Sequence, residues 1–570
     1  MAQILTHDVL VLGAGLAGLR AAGALCHLLE GRVDIGIVSK VQLMRAHSVC
    51  AEGGTAAVLR TDEGDSIDLH AWDTVKGSDF LADQDVVRRF VEVSPREILQ
   101  LDHWGIPWTR DQHGRIEQRP FGGHSYPRAT LASDKTGFFE MQTLYDQLLR
   151  YKSFTRYDEF FVTDILVADG RFGGLLGIHV PSGESVILCG KALLIASGGG
   201  TLYGFTTYSE TVTGDGMAMA YRAGLPLEDM EFLQFHPTGL VPSGILITEG
   251  CRGEGGYLRN NKGERFMEKY APSKMELAPR DMISRAEMTE ILEGRGFPGP
   301  EGKDYLHLDL THLGAAKINS RLPLIREVCM KFADLDPIEK PIPIRPVAHY
   351  SMGGIETDIN GLTRTSGIWT AGEAACVSLH GANRLGSNST AECLVWGGIA
   401  GAEIASALPS LGAVAPIPEA LLKARQEHIQ AVLKRDGKEN LYELRRELRT
   451  AMDIYVGVFR TGEDLRKALT VIRDIRARSA QAPVTDQGPV YNSNLLHTLE
   501  LENLVDLAEV TVVGAIAREE SRGAHARRDF TKRNDEVWLK HTLAWHTDAG
   551  PRIEYKSVTI DTWKPEERKY

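Results

Sequence analysis

The sequence predicts an α/β protein that opens with a Rossmann-like dinucleotide-binding domain and closes with a helical domain. Two observations carry that expectation. The first is Asp8 to Ala24, DVLVLGAGLAGLRAAGA, where four apolar residues run into Gly13-Ala14-Gly15-Leu16-Ala17-Gly18 and then into small or helix-forming residues. That order reads strand, tight turn, helix. The second lies beyond Pro416 and Pro418, where apolar residues recur at three- and four-residue steps. They are Leu421, Leu422, Ile429 and Val432, then Leu441, Leu444, Leu448 and Met452, then Leu465, Leu469, Ile472 and Ile475.

In the opening turn Gly13 permits the sharp bend, Ala14 and Gly15 bring the backbone close to a pyrophosphate, and Gly18 lets helix and strand pack closely. The helix N-terminus turns unpaired N–H groups towards the phosphates, so a dinucleotide is the expected ligand. One part of the pattern departs from the rule. An acidic residue should end the second strand and hold a ribose, yet Val33 to Val38 ends in Ser39-Lys40, so a hydroxyl must take that place.

With 570 residues the chain has room for three or four domains, and 43% hydrophobic with 25% charged residues is ordinary for a globular protein. A net charge of −12 and a pI near 5.9 argue against nucleic acid or an anionic membrane surface as partner, so an anionic substrate must meet local cations. The seven cysteines form no CxxC, CxxCH or close cluster, which excludes an iron–sulfur cluster, a c-type haem and a zinc site; no metal is expected. Reduced thiols on the cytosolic side are the default. Met1 to His7 leads straight into the first strand, and no signal peptide is expected. Leu394 to Ala415, the most apolar run, is broken by Glu403 and Pro409 and is expected to fall short of a membrane span.

After Lys40, the segment Val41 to Leu59 holds His47 and then small residues with Gly53-Gly54, as suits backbone lying against a flat ligand. Taken alone, His47 reads as a hydrogen-bonded loop histidine. In context, Arg45-Ala46-His47-Ser48 resembles the element of the succinate dehydrogenase and fumarate reductase flavoprotein subunits that bonds its histidine covalently to the flavin 8α-methyl. Asp73 to Asp79 (DTVKGSD), Gln118 to Gly123 (QRPFGG) and Ala132 to Gly137 (ASDKTG) resemble the same family, as does His380 to Ser389, HGANRLGSNS. The strand Lys191 to Ala196, ending in Ser197 to Gly200, returns the chain to the flavin side, and Thr213-Gly214-Asp215-Gly216 opens a helix there.

From Phe235 onward His, Thr, Glu and Arg fall in Gly/Pro-rich loops, where sites form. Gly367 to Glu373 then reads as a strand ending at an acid, the return of an FAD domain in the resembled family, with Glu373 on the ribityl chain. The resemblance completes the fold class: α/β, a discontinuous Rossmann-like FAD-binding domain with an inserted α+β capping domain and a C-terminal helical domain. The expected limits are 1–235 and 351–415 for the FAD domain, 236–350 for the cap, 416–540 for the helices and 541–570 for a tail packed on the surface. A further helix is expected over Leu499 to Val513. The mixed-charge run from Ser521 to about Lys540 reads as a solvated face, although the resemblance places iron–sulfur partner and flavin contacts near it.

The resemblance implies succinate/fumarate chemistry on covalent FAD. His236 and Thr248 would take one carboxylate, His349 and Arg384 the other, and Trp108, where the family usually has Phe, would press on the substrate. Arg280 would exchange the proton through a relay with Glu249 and Arg252. The cofactor set adds Ser39, Lys40, His47, Ser48, Gly53, Gly54, Asp215, Glu373 and Ser389 to the opening glycines. An arginine fork suits carboxylates, and crowding by cations with limited solvation lowers its pKa towards acid/base use. The implied partners are an iron–sulfur subunit and quinone- or haem-bearing membrane anchors, which would hold this chain at the cytoplasmic face of a bacterial inner membrane. Glu52, where many dehydrogenases have Gln, tilts the reading towards a menaquinone-linked enzyme. Two alternatives are an L-aspartate oxidase, which binds FAD noncovalently, and a flavin-bearing electron-transfer subunit without a substrate site. The first is disfavoured by His47, the second by the set His236, Thr248, Arg280, His349 and Arg384.

Overall fold

The computed structural model describes residues 3–570. Strand Gln3–Leu12 (β1) is flanked in parallel by Ile35–Val38 (β2) and by Glu184–Ile195, so the first strand sits in the middle of a seven-stranded sheet. Its inner residues, Val9 to Val11, are fully buried on both faces, as a parallel sheet covered by helices requires. Ile368–Thr370 pairs in parallel with Leu193 to Ile195, which brings the chain back to this sheet after the cap and makes the domain discontinuous.

Helix Leu16–Leu28 (α1) lies against helix Asn388–Ala407 (α2) through small residues. A Cβ on Gly401 would come within 2.8 Å of the Ala21 carbonyl oxygen, and one on Gly397 within 2.7 Å of that of Ala17. Asn388 to Ser410 is long and apolar enough to cross a membrane, in contrast to the expectation, but 56% of that window is buried inside the protein. Its composition is that of a core helix whose neighbour is another helix.

The cap is built on a four-stranded antiparallel sheet, in the order Leu233–Leu240, Ile342–Ser351, Leu306–Asp309, Tyr257–Arg259. Strand Leu233–Leu240 runs through the boundary expected at 235/236, and Ile342–Ser351 crosses the one at 350/351. The helical region follows the periodic pattern closely, with helices Glu419–Leu433, Leu441–Tyr455, Gly462–Ser479 and Ser493–Ala517. Past it, strand Lys540–Trp545 crosses the expected tail boundary and pairs with Leu227–Glu228 and Arg552–Ser557 in a five-stranded sheet. The last residues are anchored: the Gln84 side chain accepts from the amides of Thr562 and Trp563, and Arg568 meets Asp79 and Asp281.

The charge run beyond Ser493–Ala517 divides in two. Arg518, Arg522, His525 and Arg527 are buried, with Arg518 on Glu231 at 2.7 Å and Arg522 on Glu520 at 2.8 Å, so this half is no solvated face; Arg528 to Lys532 is exposed. A second buried network ties the C-terminal strand to the core. His541 Nδ1 lies 2.6 Å from Asp229 and 3.3 Å from Glu228, and Lys556 lies 2.9 Å from Glu228. These three acidic and imidazole groups have metal-like spacing, but the Lys556 ammonium already supplies the cation. Against the cost of burial, Asp229 and Glu228 raise the imidazole pKa to about 10. Replacing His541 by leucine leaves both carboxylates short of a partner and is expected to cost about 3–5 kcal/mol of unfolding free energy. Because the folded-state pKa is raised, this contribution is full below the usual 6.5 and fades as pH rises through about 10. Urea unfolding at neutral pH checks it; an unchanged midpoint would contradict the assignment.

Candidate active site

The opening turn, the His47 loop, the cap strands and the start of α2 line one elongated cavity that encloses about 1770 Å³, its open mouth included. At one end the turn follows its sequence logic. Gly13 has φ +110°, and a Cβ there would lie 2.2 Å from the Ala196 carbonyl oxygen. Gly13, Ala14 and Gly15 line the cavity. Gly18 acts only by packing: its Cβ would fall 2.0 Å from the Gly13 carbonyl oxygen. Ser39 lines the cavity where the ribose hydroxyl acceptor is expected. Lys40 lies there too, but its three donors are spent on Thr213 Oγ1 (2.6 Å), Asp215 (2.8 Å) and Glu500 (2.7 Å). Its role in this structure is to clamp the cavity wall to helix Ser493–Ala517, with Asp215 as the shared acceptor, and not to donate to a ligand.

In the middle, Ser48 Oγ accepts from the Leu16 amide at 3.2 Å, which locks the His47 loop to the dinucleotide turn. His47 lines the cavity with its Nδ1 buried and without a protein partner, and burial lowers its pKa to about 4. A neutral imidazole with a free lone pair is the form that attacks an electrophilic carbon. Gly53 and Gly54 follow, held by Arg119, which donates to the carbonyls of Gly53 and Glu52. Glu52 itself lines the cavity with Oε2 unpartnered; burial, then Asp134, pushes its pKa well up. Glu373 accepts from Tyr208 and from the Ser351 amide (3.0 Å), and burial raises its pKa to about 7.

The far end gathers the expected dicarboxylate groups. Arg280 Nε donates to Glu249 Oε2 at 2.7 Å, and Arg252 Nη2 lies 3.6 Å from the same oxygen. Glu249 Oε1 accepts from the Gly122 amide at 2.5 Å. Arg280 stands on the first turn of helix Arg280–Glu290, and its pKa falls to about 9 through burial and then the Arg384 charge. Arg384 lies 4.4 Å from the Tyr350 ring centroid, donates to Ser389 Oγ at 3.1 Å and keeps Nε unpartnered. His236 and His349 meet edge to face at 4.9 Å. His236 Nδ1 accepts from the Thr238 amide, so its proton is on Nε2, which is buried and unpartnered. Burial and then Arg280 hold both imidazoles neutral. Two guanidiniums, two neutral imidazoles and the Thr248 hydroxyl therefore face one space.

Trp108 is the exception. It does not line the cavity; it packs in the apolar cluster of Ile106, Ile116 and Leu144, and Phe121 supplies the aromatic wall. A tryptophan beyond Gly105-Ile106-Pro107 is large and apolar enough to be drawn into a core, which removes it from the substrate. Sequence reading also passed over Gln234, which accepts from Arg280 Nη1 at 3.1 Å and donates to the Arg384 carbonyl at 2.7 Å, tying the two cations together. Its place one residue before Phe235-His236 was the available signal.

Residues 8–390 match the FAD binding domain family and residues 445–570 the fumarate reductase flavoprotein C-terminal family. The chain is 45% identical to a fumarate reductase flavoprotein subunit of Mycobacterium tuberculosis over 99% of both chains. The chain belongs to the fumarate reductase and succinate dehydrogenase flavoprotein subunits. A succinate dehydrogenase flavoprotein subunit of Rickettsia bellii is 42% identical over 98% of this chain and 96% of that one. The structure of a quinol-fumarate reductase with menaquinol molecules superposes with a TM-score of 0.95 at 43% identity, covering 99% of this chain and 100% of that one. As a member of this family the chain is an FAD-dependent oxidoreductase acting on succinate and fumarate. The cavity fits that cofactor: a glycine turn at a helix N-terminus for the pyrophosphate, and the orphan atoms His47 Nδ1, Ser197 Oγ and Ser387 Oγ along its length.

Proposed function

We propose that this flavoprotein subunit carries FAD covalently on His47, binds the dicarboxylate between His236, Thr248, His349 and Arg384, and moves the proton through Arg280. The observation that carries the reading is the buried triad Arg280–Glu249–Arg252, opening onto the cavity that His47 lines. Gly13, Ala14, Gly15, Ser39, Gly53, Gly54, Glu373 and Ser389 would hold the cofactor, which supplies two-electron chemistry at the substrate carbon. Around it the protein's own groups divide the work. Arg384 and the imidazole N–H groups bind and orient the two carboxylates, and the buried walls exclude water. Arg280, with its pKa drawn down to about 9, gives or takes the proton on the other carbon, and Glu249 returns the balance.

Arg384→Lys keeps the charge but loses the fork, and is expected to raise the dicarboxylate KM about 10–100-fold with a smaller change in kcat. Steady-state kinetics check it; an unchanged KM would remove Arg384 from the substrate grip.

Electrons then leave through an iron–sulfur subunit to a membrane quinone, with separate anchor subunits holding the assembly at the cytoplasmic face of the inner membrane. Support comes from the seven cysteines, all free and none placed with another in a metal-binding group among the described residues. Purified alone, the chain should exchange electrons between the dicarboxylates and soluble dyes but reduce quinone only when the partner is added. Rapid quinone reduction by the isolated chain, or iron in it at stoichiometric levels, would overturn this arrangement.

A further inference from the structure

One aromatic residue touches both of the groups that flank the middle of the cavity. The Tyr208 ring centroid lies 5.5 Å from that of His47, tilted by 42°, and the Tyr208 hydroxyl donates to Glu373 Oε1. The phenol is the donor of that bond: burial and then Glu373 hold its pKa well above the usual 10, so it keeps its proton. The Ser351 amide donates to the same Glu373 oxygen at 3.0 Å and to Tyr208 Oη at 3.1 Å. Two donors thus fill Oε1. Glu373 lines the cavity and is half-buried, and its other oxygen, Oε2, stays accessible there without a protein donor. The backbone keeps Tyr208 in this place. The Thr207 amide donates to the Ala348 carbonyl at 3.0 Å and the Ala348 amide to the Phe205 carbonyl at 3.2 Å, so the residues before Tyr208 run along cap strand Ile342–Ser351. On their other side Asp453 of helix Leu441–Tyr455 accepts from the amides of Gly204 and Phe205, both at 3.2 Å. The pair also needs a glycine beside it, because a Cβ on Gly199 would lie 2.7 Å from both Glu373 Oε1 and Tyr208 Oη.

We propose that Tyr208 is a positioning residue for the cofactor: its hydroxyl, with the Ser351 amide, occupies Glu373 Oε1 and so leaves the Oε2 of the carboxylate turned to the cavity to accept a hydroxyl of FAD. This rests on FAD binding at Glu373, as proposed above. A free carboxylate turns about its last bond and offers either oxygen. Here that turn breaks two hydrogen bonds, so the orientation is set before the ligand arrives, and its loss shows as weaker binding. Filling space beside His47 is a separate role. Tyr208→Phe separates the two, because it keeps the ring and removes the donor.

The test uses the full-length chain carrying His47→Ser, which holds FAD without the covalent bond, and follows FAD release on dilution by the return of free-flavin fluorescence. Tyr208→Phe should raise the FAD Kd about tenfold, the scale of one hydrogen bond to a charged group. Glu373→Ala should raise it at least as much. Adding Tyr208→Phe to Glu373→Ala should then change Kd by less than about twofold, because the hydroxyl has no carboxylate left to hold. A pH profile of the Tyr208→Phe chain gives a second readout with Glu373 in place. Burial raises the Glu373 pKa to about 7, against the bonds from Tyr208 and Ser351 and the Arg384 charge. The other titratable groups packed around it are Glu392 and Cys393 on α2, Tyr350 on the cap strand and Glu356 on strand Gly354–Glu356; burial keeps the Tyr350 and Cys393 pKa values well above neutral. Binding should therefore weaken as pH falls through about 7, and without the Tyr208 hydroxyl the weakening should begin at higher pH. An unchanged Kd in Tyr208→Phe, an equal loss with and without the Glu373 carboxylate, or an unshifted pH profile would overturn the positioning role. An unchanged Kd in Glu373→Ala would instead overturn the place of Glu373 at the cofactor, on which that role rests.

Discussion

Arg280→Lys is expected to lower turnover about 10²–10⁴-fold, the span of a general acid–base contribution, while dicarboxylate binding weakens only modestly. The substitution keeps a cation at the site. What it loses is the Nε–H that reaches Glu249 at 2.7 Å and the Nη1 that reaches Gln234 at 3.1 Å. Glu249 would then lose that hydrogen bond and keep its contact with Arg252, 3.6 Å away. An arginine acts as an acid near neutral pH only if its charged form is disfavoured. Here burial, then Arg384, brings the pKa down to about 9, and Glu249 acts in the opposite sense. The deprotonated form that abstracts a proton from succinate therefore grows as pH rises towards about 9, and the protonated form that donates to fumarate dominates below it. Succinate oxidation should rise with pH across this range and fumarate reduction should not. Rates for both directions between neutral and alkaline pH check the sign; a Lys variant with near-normal kcat would sink the relay.

The second large effect is at His47. His47→Ser should abolish covalent flavin while leaving bound FAD, because the glycine turn and Glu373 remain, and succinate oxidation should fall far more than fumarate reduction. Ser48 Oγ on the Leu16 amide keeps the loop in place without the imidazole. The wild-type imidazole, with its pKa lowered to about 4, is neutral and ready at any physiological pH, so attachment should not weaken between neutral and mildly acidic conditions. Flavin fluorescence migrating with the denatured wild-type chain, and absent from the variant chain, is the readout. Fluorescent variant chains would place the bond elsewhere.

Much of this site was legible in the sequence because its chemistry sits in short motifs. The Gly13 turn is dictated locally, by a φ that only glycine adopts easily and by strand–helix contact. The residues that escaped are those whose role is set by distant partners. Arg119 reads as one of many arginines, yet it is 1% exposed and pins the Glu52–Gly53 backbone. Lys40 reads as a cofactor contact until Glu500, more than four hundred residues on, is seen to accept a hydrogen bond from it. Two expected domain limits fall inside strands for the same reason: strand Leu233–Leu240 continues through the change in composition, and Lys540–Trp545 finds its neighbour at Leu227–Glu228. Trp108 shows the converse error, an aromatic placed in the pocket by its position in a motif and withdrawn from it by core packing.

On the proposed mechanism this chain interconverts succinate and fumarate at the Arg280 site. Its most direct test is to load the purified subunit with FAD and follow fumarate-dependent oxidation of a reduced viologen dye, with succinate measured as product, in wild-type protein and in Arg280→Lys. One succinate per two electrons consumed is expected in the wild type, and near-total loss in the variant. Oxidation of L-aspartate with formation of hydrogen peroxide, and no fumarate-dependent succinate, would contradict it.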